Sequence, residues 1–202
     1  LRIEKQELLD IYEIVLDKKA FLLLDEAFFE FCPFDYDSID IFKKYGYERV
    51  AIIRAATKFF ALPGIRFGYA CTSTDMVEKC NSIGLPWSIN IFADYAGRYI
   101  FRCQEYIEDS KAYIDEESRF LLEGLSQIEG IRVFPTQSNF IFIKLLKWDE
   151  DFVFDKFLKN GLLIRKCSSF FEDLDKSYIR VAIKDRNSNT KLLNSFKELE
   201  SV

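Results

Sequence analysis

Two short apolar runs joined by a cation-bearing connection constrain this chain more than any other feature. Val50 to Ile53 forms the first run, Phe67 to Cys71 forms the second, and both are typical of β-strands. The connection between them contains a single lysine, Lys58, a Pro-Gly pair and Arg66, eight residues beyond the lysine. The pattern therefore predicts two strands of one sheet that flank a turn region carrying two cations.

Lys58 and Arg66 suit two different chemical tasks. Lys58 is followed by Phe59, Phe60 and Ala61. These apolar neighbours are expected to disfavour its charged form and so to make it a nucleophilic amine. Arg66 offers a planar, forked set of donors that suits a phosphate group. The alternative is a lysine whose stem lies along apolar surface while its ammonium stays in water, with Arg66 as a surface charge.

The string from Arg54 to Tyr69 resembles the lysine motif of the class I/II aminotransferase family, the fold-type I enzymes of pyridoxal 5′-phosphate (PLP). The resemblance implies that Lys58 is the catalytic lysine that forms a Schiff base with PLP, and that Arg66 binds the cofactor phosphate. The family often has a serine three residues before the lysine, where this chain has Ala55. Thr57 is the residue that would supply a hydroxyl to the phosphate instead.

An earlier apolar run, Phe21 to Leu24, is expected to be a parallel strand covered on both faces. Asp25 ends it, at the position where open α/β sheets bind ligands. The string from Asp25 to Phe28 is similar to the D-E-A-[YF] element of the same family, which implies that Asp25 pairs with the pyridine nitrogen of PLP and keeps it protonated. Histidinol-phosphate aminotransferases usually have a tyrosine where Phe28 stands. The alternative role for Asp25 is to cap the following turn.

Two arginines in the second half of the chain lie in apolar segments. Arg165 follows Leu162 to Ile164, and Arg180 lies within Tyr178 to Ile183. Such an arginine is costly to bury unless it meets an anion, which is either a structural carboxylate or a ligand. The surrounding strings resemble the C-terminal end of the threonine-phosphate decarboxylases, a branch of the same family. That resemblance implies that Arg180 binds the substrate carboxylate and Arg165 the substrate phosphate. The strings are Leu163 to Phe170 and Leu174 to Lys184.

Three sequence features favour one branch of the family. By propensity alone, Trp87 is expected to be a core or interface aromatic. Leu85 to Asn90 is nevertheless similar to the segment that follows the lysine motif in threonine-phosphate decarboxylases. Phe28 and the string from Cys167 to Phe170 also favour the threonine-phosphate decarboxylase branch. The resemblance therefore implies a PLP-dependent enzyme acting on a small phosphorylated amino acid, most like a threonine-phosphate decarboxylase. The alternatives are a histidinol-phosphate aminotransferase and a non-catalytic binding domain with the PLP fold.

Composition argues against other functions. There are 28 basic and 33 acidic residues, so no basic surplus exists to neutralise nucleic-acid phosphates. Histidine is absent, which excludes Ser-His-Asp and Cys-His machinery and His-dependent metal sites. No metal site is predicted. No apolar run has the length of a membrane span. Five widely spaced cysteines without a C-x-x-C motif are typical of reduced thiols in a cytoplasmic protein.

The order of the patterns predicts two domains. Residues 1–107 are expected to be the C-terminal portion of the large PLP-binding domain, an α/β unit with a mainly parallel sheet and helices. Residues 108–202 are expected to form a small α+β C-terminal domain. A nearly continuous helical pattern from Ile89 to Ile128, broken near Asp109 and Ser110, links the two. In the second domain, strands are predicted at 131–134, 138–145, 162–166 and 178–183, with helices at 151–160 and 187–199. In the first domain, a helix is predicted at 74–83, and Ser38 and Ser88 are the candidate N-caps of the helices that follow them.

The chain begins at Leu1 without a methionine, so a C-terminal fragment is expected. The resemblance covers the chain from about Leu8 to Leu199 and lacks the N-terminal half of the family fold. That half contributes further cofactor contacts in the family. In this family a second subunit also completes the active site, so the resemblance implies a homodimer.

Overall fold

The structure is a computed structural model that describes residues 2–170 and 175–201. Two compact units are present, an N-terminal unit of residues 2–107 and a C-terminal unit from residue 108 onward. Each combines helices with one sheet, so the predicted α/β fold class is confirmed. Leu1, residues 171–174 and Val202 lie outside the described residues, and with them the start of the string that opens at Leu174.

The N-terminal unit is a three-stranded sheet with helices. The strand order is β1-β2-β3; β1 runs parallel to β2, and β3 runs antiparallel to it. The antiparallel return of β3 allows a single loop to join it to β2, whereas the parallel pair requires the intervening helix α2. The elements are α1 (Lys5–Asp17), β1 (Leu22–Asp25), α2 (Ser38–Lys43), β2 (Val50–Ala55), β3 (Gly68–Thr72), α3 (Thr74–Ile83) and α4 (Ile91–Gly97).

Only one face of this sheet is covered by the described residues. Leu8 and Tyr12 of α1 and Phe42 of α2 are buried against the face that carries Val50 and Ile52. On the opposite face, Leu23 is 61% exposed and Ile53 is 38% exposed. Side chains alternate along a strand, so helices on one side bury every second residue. The expectation that β1 is covered on both faces is therefore wrong for the described part of the chain.

Two helices begin at caps that differ from those predicted. Asp37 rather than Ser38 caps α2, and its carboxylate accepts a hydrogen bond from the Ile39 amide at 2.8 Å. Asn90 rather than Ser88 caps α4. Its side-chain oxygen accepts from the Ala93 amide at 3.0 Å. Asp, Ser and Asn are all good N-caps, so composition alone does not choose between neighbours.

The long helical region breaks earlier than predicted. α4 ends at Gly97 and α5 (Gln104–Leu125) begins after a short 3-10 turn, whereas residues 109 and 110 lie within α5. Packing explains the position: a Cβ at Gly97 would lie 2.7 Å from the ring of Phe67, and the turn places Phe101 against Phe60. Trp87 is 96% exposed, so its placement in a core is wrong. Its role as an interface residue stays a prediction.

The C-terminal unit is a four-stranded antiparallel sheet whose order is β4-β5-β7-β6. A single large core lies on one face, where Ile141, Ile143 and Ile179 meet Phe157 and Phe196 of the helices. The opposite face carries the half-buried Arg180. Its elements are the greater part of α5, then β4 (Ile131–Val133), β5 (Phe140–Leu145), α6 (Glu150–Lys159), β6 (Arg165–Lys166), β7 (Tyr178–Ala182) and α7 (Arg186–Glu200).

Within the described ranges, no helix has the length and apolar character needed to cross a membrane. All five cysteines are free thiols. Burial raises the pKa of Cys71 and that of Cys167, which keeps both thiols protonated near neutral pH.

Candidate active site

Asp25 and Lys58 emerge from the same edge of the N-terminal sheet. In the parallel β1–β2 pair, Asp25 is the partner of Ile53, and β2 ends two residues later at Ala55. Thr57 and Lys58 follow directly. Because both strands point the same way, their carboxyl ends open on one edge, which is where open α/β sheets hold ligands. The topology thus places the carboxylate, the hydroxyl and the amine at one edge.

Arg66 returns to that edge from the other end of the connection. We call residues 56–67 the Lys58 loop. Its ends are tied by a hydrogen bond from the Ala56 amide to the Phe67 carbonyl at 3.1 Å, and Gly68 of β3 pairs with Ala55 of β2. Arg66 therefore lies two residues from the strand partner of Ala55. The four residues predicted to bind the cofactor share one edge of one sheet.

Buried aromatic residues anchor the Lys58 loop in the N-terminal unit. Phe59 and Phe60 are 3% and 6% exposed and form a cluster with Phe31 and Phe101. Lys58 itself is exposed. The expectation that the neighbouring phenylalanines desolvate the amine is therefore wrong for the described residues, because their rings turn into the core while the lysine turns out. What the aromatic pair supplies is a fixed position for an exposed amine.

Two side chains from outside the loop fix its backbone. The Tyr106 hydroxyl donates to the Phe59 carbonyl at 2.9 Å, next to the lysine. The Asn90 side-chain amide donates to the Ile65 carbonyl at 2.8 Å, next to Arg66. Each cation of the loop thus has a neighbouring peptide group held by a distant part of the N-terminal unit.

The loop also contains strained backbone. Ala61 and Arg66 have positive φ angles of 51° and 60°. Each such non-glycine residue costs roughly 1–2 kcal/mol. The Arg66 guanidinium donates to the Pro63 carbonyl at 3.1 Å, which holds the exposed side chain over its own turn. Strain of this kind persists only where surrounding contacts over-determine the backbone, and it clusters at functional sites.

Asp25 performs the capping role given above as its alternative, and remains accessible. One carboxylate oxygen accepts a hydrogen bond from the Ala27 amide at 3.1 Å, which closes the turn after β1. The side chain is exposed at the sheet edge. The hydrogen bond to Ala27 uses one carboxylate oxygen and leaves the side chain exposed. Capping the turn and binding a ligand are therefore compatible.

Arg54 forms a buried ionic cluster that the sequence patterns described above do not predict. Its side chain is 5% exposed; Nε lies 2.9 Å from Glu26 Oε2, and a terminal nitrogen lies 2.6 Å from Asp37 Oδ1. The guanidinium carbon stacks 3.4 Å from the centroid of the Phe29 ring. Burial alone would lower the pKa of Arg54, but the hydrogen bonds to Asp37 and Glu26 outweigh it and raise that pKa. Arg54 also ends an apolar run, so it too is costly to bury without an anion, as are Arg165 and Arg180.

The cluster connects three elements around the site. Glu26 follows Asp25 directly, Asp37 caps α2, and Arg54 precedes Lys58 by four residues on β2. The Glu26 amide also donates to the Ile53 carbonyl at 2.8 Å. The carboxyl ends of β1 and β2 are therefore locked together next to the two residues that the motifs single out.

Arg165 and Arg180 belong to the C-terminal unit, where they are direct cross-strand partners in the β6–β7 pair. We call these two residues the arginine pair. Arg165 is exposed and Arg180 is half-buried. Neither arginine forms an ion pair with a carboxylate of the described residues, so the carboxylate partner considered above is not found there. Two guanidinium side chains thus lie at facing positions of adjacent strands.

Comparison with known proteins places this geometry in context. The family model for aminotransferase class I and II matches residues 2–196. A protein of Caldanaerobacter subterraneus subsp. tengcongensis that bears the provisional name threonine-phosphate decarboxylase is 39% identical over 192 residues, 92% of this chain and 52% of that protein. A histidinol-phosphate aminotransferase of Thermoanaerobacter sp. is 30% identical over 94% of this chain and 52% of its own length.

A solved structure shares the fold closely. The histidinol-phosphate aminotransferase from Clostridium acetobutylicum superposes with a TM-score of 0.91 at 37% identity, over 98% of this chain and 60% of that one. The chain spans about half the length of the curated relatives it matches.

Proposed function

The chain belongs to the aminotransferase class I and II family, and on that premise we propose that it serves a PLP-dependent enzyme acting on a small phosphorylated amino acid. The observation that carries the proposal is the sheet edge shared by Asp25 and the Lys58 loop. Residues 1–107 would be the C-terminal portion of the large cofactor-binding domain, and residues 108–202 the small domain.

The residues at this edge fit the chemistry of PLP. An exposed amine (Lys58) suits the aldehyde carbon, a carboxylate (Asp25) suits the ring nitrogen, and a guanidinium with a hydroxyl (Arg66, Thr57) suits the phosphate. When bound, PLP supplies an electron sink for the electrons released at the substrate α-carbon. The homologues of this chain depend on that cofactor.

Each residue has a distinct task in the proposed reaction. Asp25 holds a proton on the ring nitrogen, because a carboxylate beside that nitrogen favours its protonated form. Lys58 holds the cofactor and then, as a free amine, moves a proton at the substrate α-carbon. Arg180 binds the substrate carboxylate and Arg165 the substrate phosphate, each as a forked donor. Binding of both anions fixes the orientation of the substrate α-carbon, and that orientation determines which of its bonds breaks.

The arginine pair supports a substrate with two anionic groups close together. Cross-strand partners bring their side chains within a few ångströms of each other, so two guanidinium groups converge on neighbouring anions. A β-phosphorylated α-amino acid carries a carboxylate and a phosphate at that separation. Phe28, which cannot donate to the cofactor, supports the same choice. We therefore place decarboxylation of threonine O-phosphate first.

Histidinol-phosphate aminotransferase is the second candidate, and the similarity to two such enzymes favours it. One experiment separates them. The native protein is loaded with PLP and mixed with threonine O-phosphate in the absence of a keto acid. Sustained release of carbon dioxide and aminopropanol phosphate supports the decarboxylase. A single stoichiometric conversion that stops until a keto acid is added supports the aminotransferase. No reaction with threonine O-phosphate or with histidinol phosphate removes both and leaves a non-catalytic binding domain.

We also propose a cytoplasmic homodimer. Support comes from an exposed apolar segment in the N-terminal unit, where Trp87 is 96%, Ile83 84% and Leu85 83% exposed. Contiguous apolar surface of this kind marks an interaction site. Sedimentation equilibrium of the native protein tests the proposal, and a monomer at micromolar concentration would contradict it.

A further inference from the structure

The arginine pair poses an electrostatic problem in the C-terminal unit. Like charges at facing positions of neighbouring strands repel and destabilise the pair of strands. Arg165 and Arg180 occupy such positions, and among residues 2–170 and 175–201 no ion pair offsets their charge. Within those residues, contacts other than ion pairs hold the two cationic side chains in place.

One aromatic ring contacts both cations. The Arg165 guanidinium carbon lies 4.6 Å from the centroid of the Phe170 ring, and that of Arg180 lies 5.5 Å from the same centroid. Arg180 also lies 4.6 Å from the centroid of Phe140. A ring attracts a cation within about 6 Å of its centroid through its quadrupole. Phe170 therefore binds both members of the arginine pair without neutralising either.

A buried carboxylate fixes the turn that carries Phe170. Glu150, at the start of α6, is 1% exposed, and its Oε2 accepts hydrogen bonds from the amides of Cys167 at 2.8 Å and Ser168 at 3.2 Å. The Ser168 hydroxyl donates to the other oxygen of the same carboxylate. The turn closes with a bond from the Phe170 amide to the Cys167 carbonyl at 3.0 Å. A buried charge with this many donors is held firmly, and so is the turn.

We propose that Phe170 is a positioning residue that makes the arginine pair selective for a substrate with two anions. The ring holds each guanidinium against itself, so the two groups cannot both swing onto one anion and instead receive two neighbouring anions. Glu150 acts through the turn, by fixing where the ring lies. The identity of the substrate rests on the proposed function, whereas the selectivity for two anions rests on contacts within the C-terminal unit.

The test compares two ligands that differ by one carboxylate. Threonine O-phosphate carries an amine, a phosphate and a carboxylate, while O-phosphoethanolamine lacks the carboxylate. The native protein is loaded with PLP and treated with borohydride to prevent turnover. Calorimetry then gives the ratio of the two dissociation constants. Phe170→Leu is expected to reduce the preference for threonine O-phosphate by about tenfold, because two cation–aromatic contacts are lost.

Matched variants make the result specific. Phe170→Tyr keeps the ring and should keep the preference. Phe152→Leu removes a ring whose cation contact is to Lys156, in the same unit, and should leave the preference unchanged. Glu150→Gln removes the charge that holds the turn and should reduce the preference in the same direction as Phe170→Leu. In untreated protein, Phe170→Leu is expected to raise KM for threonine O-phosphate more than it lowers kcat.

The outcomes separate this inference from the proposed function. An unchanged ratio of dissociation constants in Phe170→Leu, or binding of neither ligand by the unaltered protein, overturns the inference. Absence of both carbon dioxide release and amino transfer in the untreated protein overturns the proposed function. If the ratio still falls in Phe170→Leu in that case, the selectivity for two anions stands on its own.

Discussion

The Lys58 loop and the arginine pair present cations to solvent by different structural means. The loop leaves a sheet that is covered on one face, includes two residues with positive φ angles, and is anchored by side chains from elsewhere in its unit. The arginine pair lies on regular strands above a single large core. Buried aromatic residues and hydrogen bonds from distant side chains fix the lysine in the first case, whereas regular strand register positions the guanidinium groups in the second.

This difference assigns separate tasks to separate kinds of scaffold. A covalent step needs one atom delivered to a defined place, and a loop held by Phe59 and Phe60 can deliver it at a cost in backbone energy. Recognition of anions needs two fixed cations at a fixed spacing, which adjacent strands provide by geometry alone. Substitutions in the two units should therefore have effects of different kinds.

The largest effect is expected at Lys58. Lys58→Ala should reduce turnover by more than about 10³-fold, since it removes both the covalent attachment and the proton transfer. The fold should be unaffected because the side chain is exposed. Lys79→Ala, an exposed lysine on α3, is the matched control and should retain activity. Loss of the thermal transition in Lys58→Ala would mean that the lysine is structural.

Stability in the C-terminal unit should depend on its core. Phe157 is fully buried against Phe196, with ring centroids 4.8 Å apart. Phe157→Ala should lower the free energy of unfolding by about 3–5 kcal/mol, through lost transfer energy and the cavity left behind. Denaturant titration measures this, with the exposed Phe34→Ala as control. A loss below about 1 kcal/mol would show that this core is loosely packed.

The N-terminal unit should depend instead on its buried arginine. Arg54→Met keeps the length of the side chain but leaves Glu26 and Asp37 without their partner. Breaking a buried pair on one side costs about 3 kcal/mol, so the urea midpoint should fall clearly. Arg98→Met removes an exposed ion pair with Asp94 and should leave that midpoint unchanged. Equal effects of the two substitutions would contradict the structural importance of the Arg54 cluster.

Substrate recognition should respond to the arginine pair in a ligand-dependent way. Arg165→Ala removes the proposed ligand of the substrate phosphate and should raise KM for threonine O-phosphate by roughly 10–100-fold, as expected for a charged hydrogen bond. KM for unphosphorylated threonine should change far less. The matched control is Arg132→Ala, on β4 of the same sheet. If both substrates respond equally, Arg165 does not bind the phosphate.

The smallest effect is expected on the open face of the N-terminal sheet. Leu23 is 61% exposed, so Leu23→Ser should change the free energy of unfolding by less than about 0.5 kcal/mol. Ile52→Val, on the covered face of the same sheet, should cost about 1 kcal/mol despite removing only one methylene. A larger cost at Leu23 in the native protein would reveal that another segment covers this face.

Local signals in the sequence predicted much of this structure. The helix at 74–83 and the two strands flanking the Lys58 loop follow from periodicity and turn residues. Helix caps differed by one or two residues because Ser, Asp and Asn compete as neighbours. The predicted position of the break was wrong because the packing of Phe67 against Gly97 and Phe101 decides it, and these contacts are not visible in the local sequence.

The site residues that lie in contiguous motifs could be predicted from the sequence, whereas those that only folding brings together could not. Asp25 and Lys58 lie in recognisable strings, and parallel pairing then brings their strand ends together. In the Arg54 cluster, the arginine meets one partner 28 positions away in the sequence and another 17 positions away. No local sequence pattern predicts such contacts. The contacts of Phe170 with both arginines likewise depend on a turn whose anchor, Glu150, lies on a different element.

The most direct test of the central assignment locates the cofactor on the chain. The native protein is loaded with PLP, reduced with borohydride, digested and analysed by mass spectrometry for the phosphopyridoxyl group. We expect one modified peptide, containing Lys58, with modification complete at one equivalent of cofactor. Modification of another lysine, or no modification under conditions where the protein is folded, would contradict the assignment of the Lys58 loop as the cofactor site.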